Sequence, residues 1–175
     1  MPNRIESAVK DTLRALTLIV GIISVISFGQ RLFDVGVVAI AKDVIEYYRE
    51  IAKLIFAVPM ELVAVKVPPA LTDLWALSFV GASAYVRTPR IEKSRFFRKY
   101  PRLSRVRYWK AWLLVLFGLS GVGLIVLLGS ITPSTYIDAL YEEPLDLSRG
   151  AARNALYIFG GALAFFVLNA FAPSG

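Results

Sequence analysis

No cysteine and no histidine occurs in the 175 residues. Without cysteine there are no disulfides, no thiolate-held metals and no thiol nucleophile. Without histidine the commonest metal ligand and general base is gone, which excludes haem–histidine, zinc–histidine and serine–histidine chemistry for the chain alone. The phosphate-cradling, dinucleotide-binding, HExxH and GxSxG signatures are also missing. The expectation is a protein that is not an enzyme and carries no metal or cofactor. Acids are scarce where bases crowd: residues 87–110 hold ten Lys or Arg and one acid, Glu92.

What the chain has in excess is apolar surface. Hydrophobic residues make up 57% of it and its mean hydropathy is +0.60, against about 45–50% apolar residues in soluble domains. The surplus must face something other than water, and lipid is the natural partner. The length suits one membrane domain covering residues 1–175. Formal net charge is +7, but half of the basic residues lie within 87–110, so the basicity is local. A short loop this rich in Lys and Arg between apolar runs stays on the cytoplasmic side of a bilayer.

The predicted fold class is all-α, a polytopic integral membrane protein with four transmembrane helices and an outer amphipathic interfacial helix. The spans are expected near 13–32, 70–86, 109–131 and 151–172. The uncharged run of the first, Leu16–Phe28, is short, because a bilayer core needs about 20 apolar residues; it becomes adequate if the helix begins near Leu13 and carries on through Leu32. Its basic flank (Arg4, Lys10, Arg14) resembles a signal peptide. A retained signal anchor is the favoured reading of that pattern over a cleaved leader. Residues 35–58 have a 3.6-residue period, with Ile45, Tyr48 and Ala52 on the apolar face and Lys42, Asp43, Glu46, Arg49, Glu50 and Lys53 on the other. Six charges at about +2.5–3.5 kcal/mol each outweigh a dozen apolar residues at about −0.5, so this helix does not span. It is expected to lie at the interface or on the bundle and to end at Pro59. Residues 60–67 alternate weakly and are read as extended, and Pro68-Pro69 starts the second span.

A short helix is expected from Thr88-Pro89 to Tyr100, another over 133–141, and an N-cap for the last span at Ser148. With the 87–110 loop inside and four crossings, both termini are cytoplasmic. Residues 35–67 and 132–148 are then outside. The expected location is the bacterial inner membrane.

Four groups of residues stand out. Arg95, Arg98, Lys99, Arg102, Arg105 and Arg107, with Trp109 and Trp112 beside them, suit anionic lipid headgroups or an acidic protein partner. Nucleic acid, which also favours cations interleaved with aromatics, is the weaker alternative. Arg31, Asp34 and Asp73 are expected at the membrane edge. Arg31 and Asp34 pair at i,i+3 and Asp73 complements a helix N-terminus; an ion or proton site is the competing reading. The small residues Ser78 and Ala82, Gly118 and Gly121, and Gly160 and Ala164 mark close helix packing, within one chain or between subunits. Asp138, Glu142, Glu143 and Asp146 form an acidic loop without the ligand spacing of a calcium loop.

Interaction surfaces without a chemical constellation point to a non-catalytic membrane subunit acting in assembly, scaffolding or as an accessory component. Its partners would be anionic lipid and other membrane chains or copies of itself. A small homo-oligomeric channel or transporter is the alternative, and a lipid-modifying enzyme the weakest of the three.

Overall fold

The computed structural model describes residues 4–62, 64–88, 91–93, 95–130 and 147–171. It is all-helical, with no strand among the described residues. Helix α1 runs unbroken over Arg4–Phe33, joining the basic start and the apolar run in one rod. It stops at Asp34, whose φ of 51° is the left-handed conformation that commonly ends helices and that Asp tolerates better than most residues.

Helix α2 spans Ala39–Ala52 and passes through a π-helical turn, Lys53–Ala57, into α3, Val58–Glu61. Pro59 therefore does not end the helix as expected. The Val58 N–H bonds to Lys53 O, an i→i−5 bond that shifts the ladder, and Pro59 falls in the first turn of α3, where a missing N–H costs little. Residues 65–68 follow without regular structure.

Helix α4, Pro69–Val86, starts at the second of two prolines. The basic loop is not one helix. It contains a 3₁₀ turn at Ile91–Lys93, the short α5 at Arg95–Lys99 and a second 3₁₀ turn at Leu103–Arg105. Tyr108, at φ 59°, then redirects the chain into α6, Trp109–Leu119. The third apolar run is also broken: Ser120 and Gly121 separate α6 from α7, Val122–Gly129, with an 84° bend. Helix α8 covers Leu147–Phe171. Ser148, expected to cap the last span, lies inside the first turn of α8. The expected helix at 133–141 and the acidic set at 138–146 lie outside the described residues.

Helix α4 is the hub, packing against α1, α2, α6, α7 and α8. It runs antiparallel to α1: Asp73 meets Ser27 and Arg31, while Ser83 and Val86 lie near Asp11 and Arg14. Helix α8 runs parallel to α1. A Cβ on Gly21 would press on Ile158 and one on Gly29 on Phe166, and Asn169 reaches Gly36 and Val38. The expectation that the last helix opposes the first is thus not what the contacts show; Arg4 and Phe171 end at opposite ends of the bundle.

Two helices, α1 over Asp11–Phe33 and α8 over Ala152–Phe171, are long and apolar enough to cross a membrane. The bent α6–α7 pair makes a third if it counts as one span. Four spans are not shown. Helix α4 carries Thr72, Asp73, Ser78 and Ser83 and is not among the candidates. Its central place explains this composition, because ten of its eighteen residues are buried against protein and need no match to lipid.

Candidate functional site

Three α1 residues at i, i+3 and i+7 spacing, Ser24, Ser27 and Arg31, make a polar stripe along one face of an otherwise apolar helix. The stripe faces α4 and α2 and organises a buried cluster. Asp73 of α4 has no exposed surface. Its Oδ2 accepts the Ser27 hydroxyl at 3.1 Å and pairs with Arg31 Nε at 3.3 Å. From α2, Arg49 donates Nε–H to Ser27 Oγ at 2.9 Å, and its Nη2 reaches Ser27 O at 3.2 Å and Gln30 Oε1 at 2.8 Å. Ser27 thus accepts from one arginine and donates to the acid, linking three helices through one hydroxyl.

Beside this chain, Tyr48 shares a 2.8 Å hydrogen bond with Ser24. Burial pushes the Tyr48 phenol above its ordinary range, so it stays neutral. Oδ1 of Asp73 is buried with no hydrogen-bond partner among the described residues. The outward sides of Arg31 and Arg49 line a cleft of about 270 Å³ with Glu50, Lys53, Glu61 and Thr72.

These positions differ from the membrane-edge expectation. Asp73 is inside the bundle, and Arg31 turns to it rather than to Asp34, which is exposed at the end of α1. Arg49, placed by periodicity on the solvated face of α2, points into the bundle. Sequence reasoning missed Ser24, Ser27, Tyr48 and Arg49; the i, i+3, i+7 stripe on α1 is the signal that pointed to the first two. Chemically the cluster neutralises and holds. No group of acids suited to a metal occurs among the described residues.

The small residues serve two close approaches. A Cβ on Gly81 would overlap the Gly123 carbonyl, and one on Gly123 the Ser78 carbonyl. Gly118 lies against the Phe79 ring, and Ala82 is fully buried on α4. Gly121 packs against nothing; at φ +80° it makes the break between α6 and α7. Groups freed there are taken up by α4. Ser78 donates to Phe117 O at 3.0 Å and accepts Leu124 N–H at 3.2 Å, and Trp75 Nε1 donates to Leu119 O at 3.1 Å. On α8, Gly160 has open space around it and Ala164 is exposed, whereas Gly161 abuts Ile22 and Ala162 is buried.

At the other end of the bundle the basic loop is folded down. Ile91 and Phe97 are buried with Tyr85, Leu113 and Val126, and Trp109 meets Phe97 edge-on at 4.8 Å. Arg98, Lys99, Arg102, Arg105 and Arg107 are exposed above this base, as is Trp112; the Arg95 side chain lies outside the described set. Arg107 stacks 4.8 Å from the Tyr108 ring centroid. Beside it lies an apolar recess of about 360 Å³ lined by Phe97, Leu103, Val106, Trp109, Trp112, Leu113 and Leu116.

Comparison with family models, with curated proteins and with solved structures gives no match. The functional reading therefore rests on geometry alone.

Proposed function

We propose that this chain is a non-catalytic integral membrane subunit that takes part in assembly or scaffolding of a larger membrane complex through its basic end. The supporting observation is that the arginine-rich loop is a folded platform. Ile91 and Phe97 anchor it, Arg98, Lys99, Arg102, Arg105 and Arg107 are exposed on it, and an aromatic-lined recess opens beside them. Aromatic and arginine side chains next to a pocket are the composition of interface hot spots. The charged groups in the middle of the molecule are meanwhile engaged with one another.

In this reading α1, α4 and α8 cross the bilayer, α4 shielded by its neighbours, and α6–α7 enters from the basic side and returns. Backbone irregularity at membrane depth is tolerated where protein covers it, which is what Ser78 and Trp75 do at the break. The basic end is cytoplasmic, so α1 starts inside and α8 ends outside. Purification in mild detergent, followed by sizing and identification of co-purifying chains, tests the proposal. A discrete assembly containing another chain is expected; a lone monomer sinks it.

A small channel or transporter is the second reading, favoured by the broken α6–α7 pair, since interrupted helices line transport sites. Liposome flux that is the same for the wild type, Arg31→Ala, Asp73→Asn and empty vesicles removes it.

A further inference from the structure

The outer face of α2 and the flanks of α1, α4 and α6 enclose an apolar groove of about 500 Å³. Leu13, Leu16, Val20 and Ile23 form one wall, Phe79 and Val80 another, and Tyr47, Ile51 and Ile55 the roof. From Leu13 to Ile23 the helix rises by ten steps, about 15 Å. At its lower end the groove opens into a second cavity of about 800 Å³ that shares Leu13, Ser83 and Leu114 with it. This mouth has a different character: Arg14, Arg87 and Lys110 line it, with Asp11. Arg14 and Arg87 form no ion pair among the described residues, while Lys110 lies 3.9 Å from Glu92 and over the Trp109 ring.

We propose that the cleft between α1, α4 and α6 binds one anionic phospholipid, with its phosphate at Arg14, Arg87 and Lys110 and an acyl chain laid along the groove under α2. The proposal is separate from docking on the exposed cations Arg98–Arg107; Arg87 and Lys110 are the two ends of the basic loop, and Arg14 comes from α1. Two observations carry it. The cleft is amphipathic along its length, charged at one end and apolar beyond. Its charged end is the end of the bundle where the basic loop places headgroups, so a lipid enters in its native orientation.

Lipid tails are as apolar as these walls, so the groove alone does not discriminate among lipids. Selection falls to the cations. Two unpaired arginines and a lysine at one mouth favour a phosphate without a compensating amine.

The full-length protein is reconstituted in phosphatidylcholine vesicles doped with phosphatidylglycerol carrying a diazirine in its acyl chain, then irradiated and mapped by peptide mass spectrometry. Crosslinks are expected at Val20, Ile51 and Phe79, with yield at least about tenfold above that from the equivalent diazirine phosphatidylcholine. Arg14→Gln with Arg87→Gln should bring the two lipids level. Val20→Trp, which fills the groove and leaves the mouth intact, should abolish crosslinking at Ile51. If the double variant elutes as aggregate, Arg87→Gln alone is used, with a loss of about fivefold expected. Equal yields from both lipids overturn the proposal. So do yields that neither variant alters, crosslinks spread evenly along α8, and a protein chain trapped in the groove.

Discussion

Arg31 of α1 and Asp73 of α4 meet at 3.3 Å, and the acid of the pair has no exposed surface. The residues are 42 positions apart, so the contact fixes the register of two antiparallel helices. A buried ion pair adds little stability over apolar residues of the same shape, but breaking it by removing one partner costs about 3–5 kcal/mol. Arg31→Met leaves the Asp73 carboxylate buried without this partner and should therefore lower the thermal midpoint of the detergent-solubilised protein sharply. Adding Asp73→Leu to it should recover most of the loss. If Arg31→Met unfolds with the wild type, the pair is not what joins α1 to α4.

Gly81 and Gly123 bring the α4 and α7 backbones together with no room for a methyl group. Gly81→Ala or Gly123→Ala should destabilise by about 1–3 kcal/mol, the usual range for overpacking. Gly160→Ala is the control. Its open surroundings and the better helix propensity of alanine predict a gain of up to about 1 kcal/mol. Chemical unfolding in mixed micelles orders the three variants, and equal effects would remove the packing argument.

The break at Gly121 rests on backbone conformation and on one hydroxyl. Gly121→Val places a β-branched residue at φ +80° and should cost about 1–2 kcal/mol or more. Ser78→Ala leaves Phe117 O without its side-chain donor and takes one of the two acceptors of Leu124 N–H. A loss of about 1–3 kcal/mol follows, and hydrogen exchange should rise at Leu124 while the upper turns of α4 stay protected. Unchanged exchange at Leu124 would mean the hydroxyl does not hold the break.

Much of the outline could be read before any coordinates. The 3.6-residue period of α2, the apolar runs of α1 and α8 and the charge concentration at 87–110 are local patterns, and local patterns survive folding. What was hidden depends on contacts distant in sequence. Nothing near Asp73 says that its partner is Arg31 rather than water at a membrane edge. Arg49 falls on the charged side of its helix by periodicity, yet a serine one helix away turns it inward. Residues 111–131 form the same apolar run whether the chain crosses or bends back, and Gly121 is legible as a small packing residue but not as a turn. The direction of α8 depends on that bend, so the two were missed together.

Phe97 is the buried anchor of an otherwise exposed, arginine-rich loop. Phe97→Ala should cost about 3–5 kcal/mol locally, which frees α5 and the turns after it while leaving α1 and α8 packed. The loop is dense in trypsin sites, and cleavage follows the population of the open state. Limited trypsin digestion of reconstituted protein should cut between residues 95 and 107 at least about tenfold faster in the variant. Rapid cleavage of the wild type at the same sites would show that the loop is not a folded platform.

The parallel course of α1 and α8 makes a prediction about sidedness that four alternating crossings do not. Gly21 against Ile158 and Asn169 against Gly36 put the end of α8 at the end of α1, away from the basic loop. Because the chain has no cysteine, single substitutions report position without background. Lys99→Cys should react with a membrane-impermeant maleimide only after the cells are opened, since a loop this basic stays inside. Ala170→Cys should react in intact cells. Four full crossings would protect both positions, with α6 and α7 then forming one membrane-spanning rod. Labelling at 170 but not at 99 means that only one of the α6–α7 pair and α8 crosses; with α8 a span, the α6–α7 pair turns back.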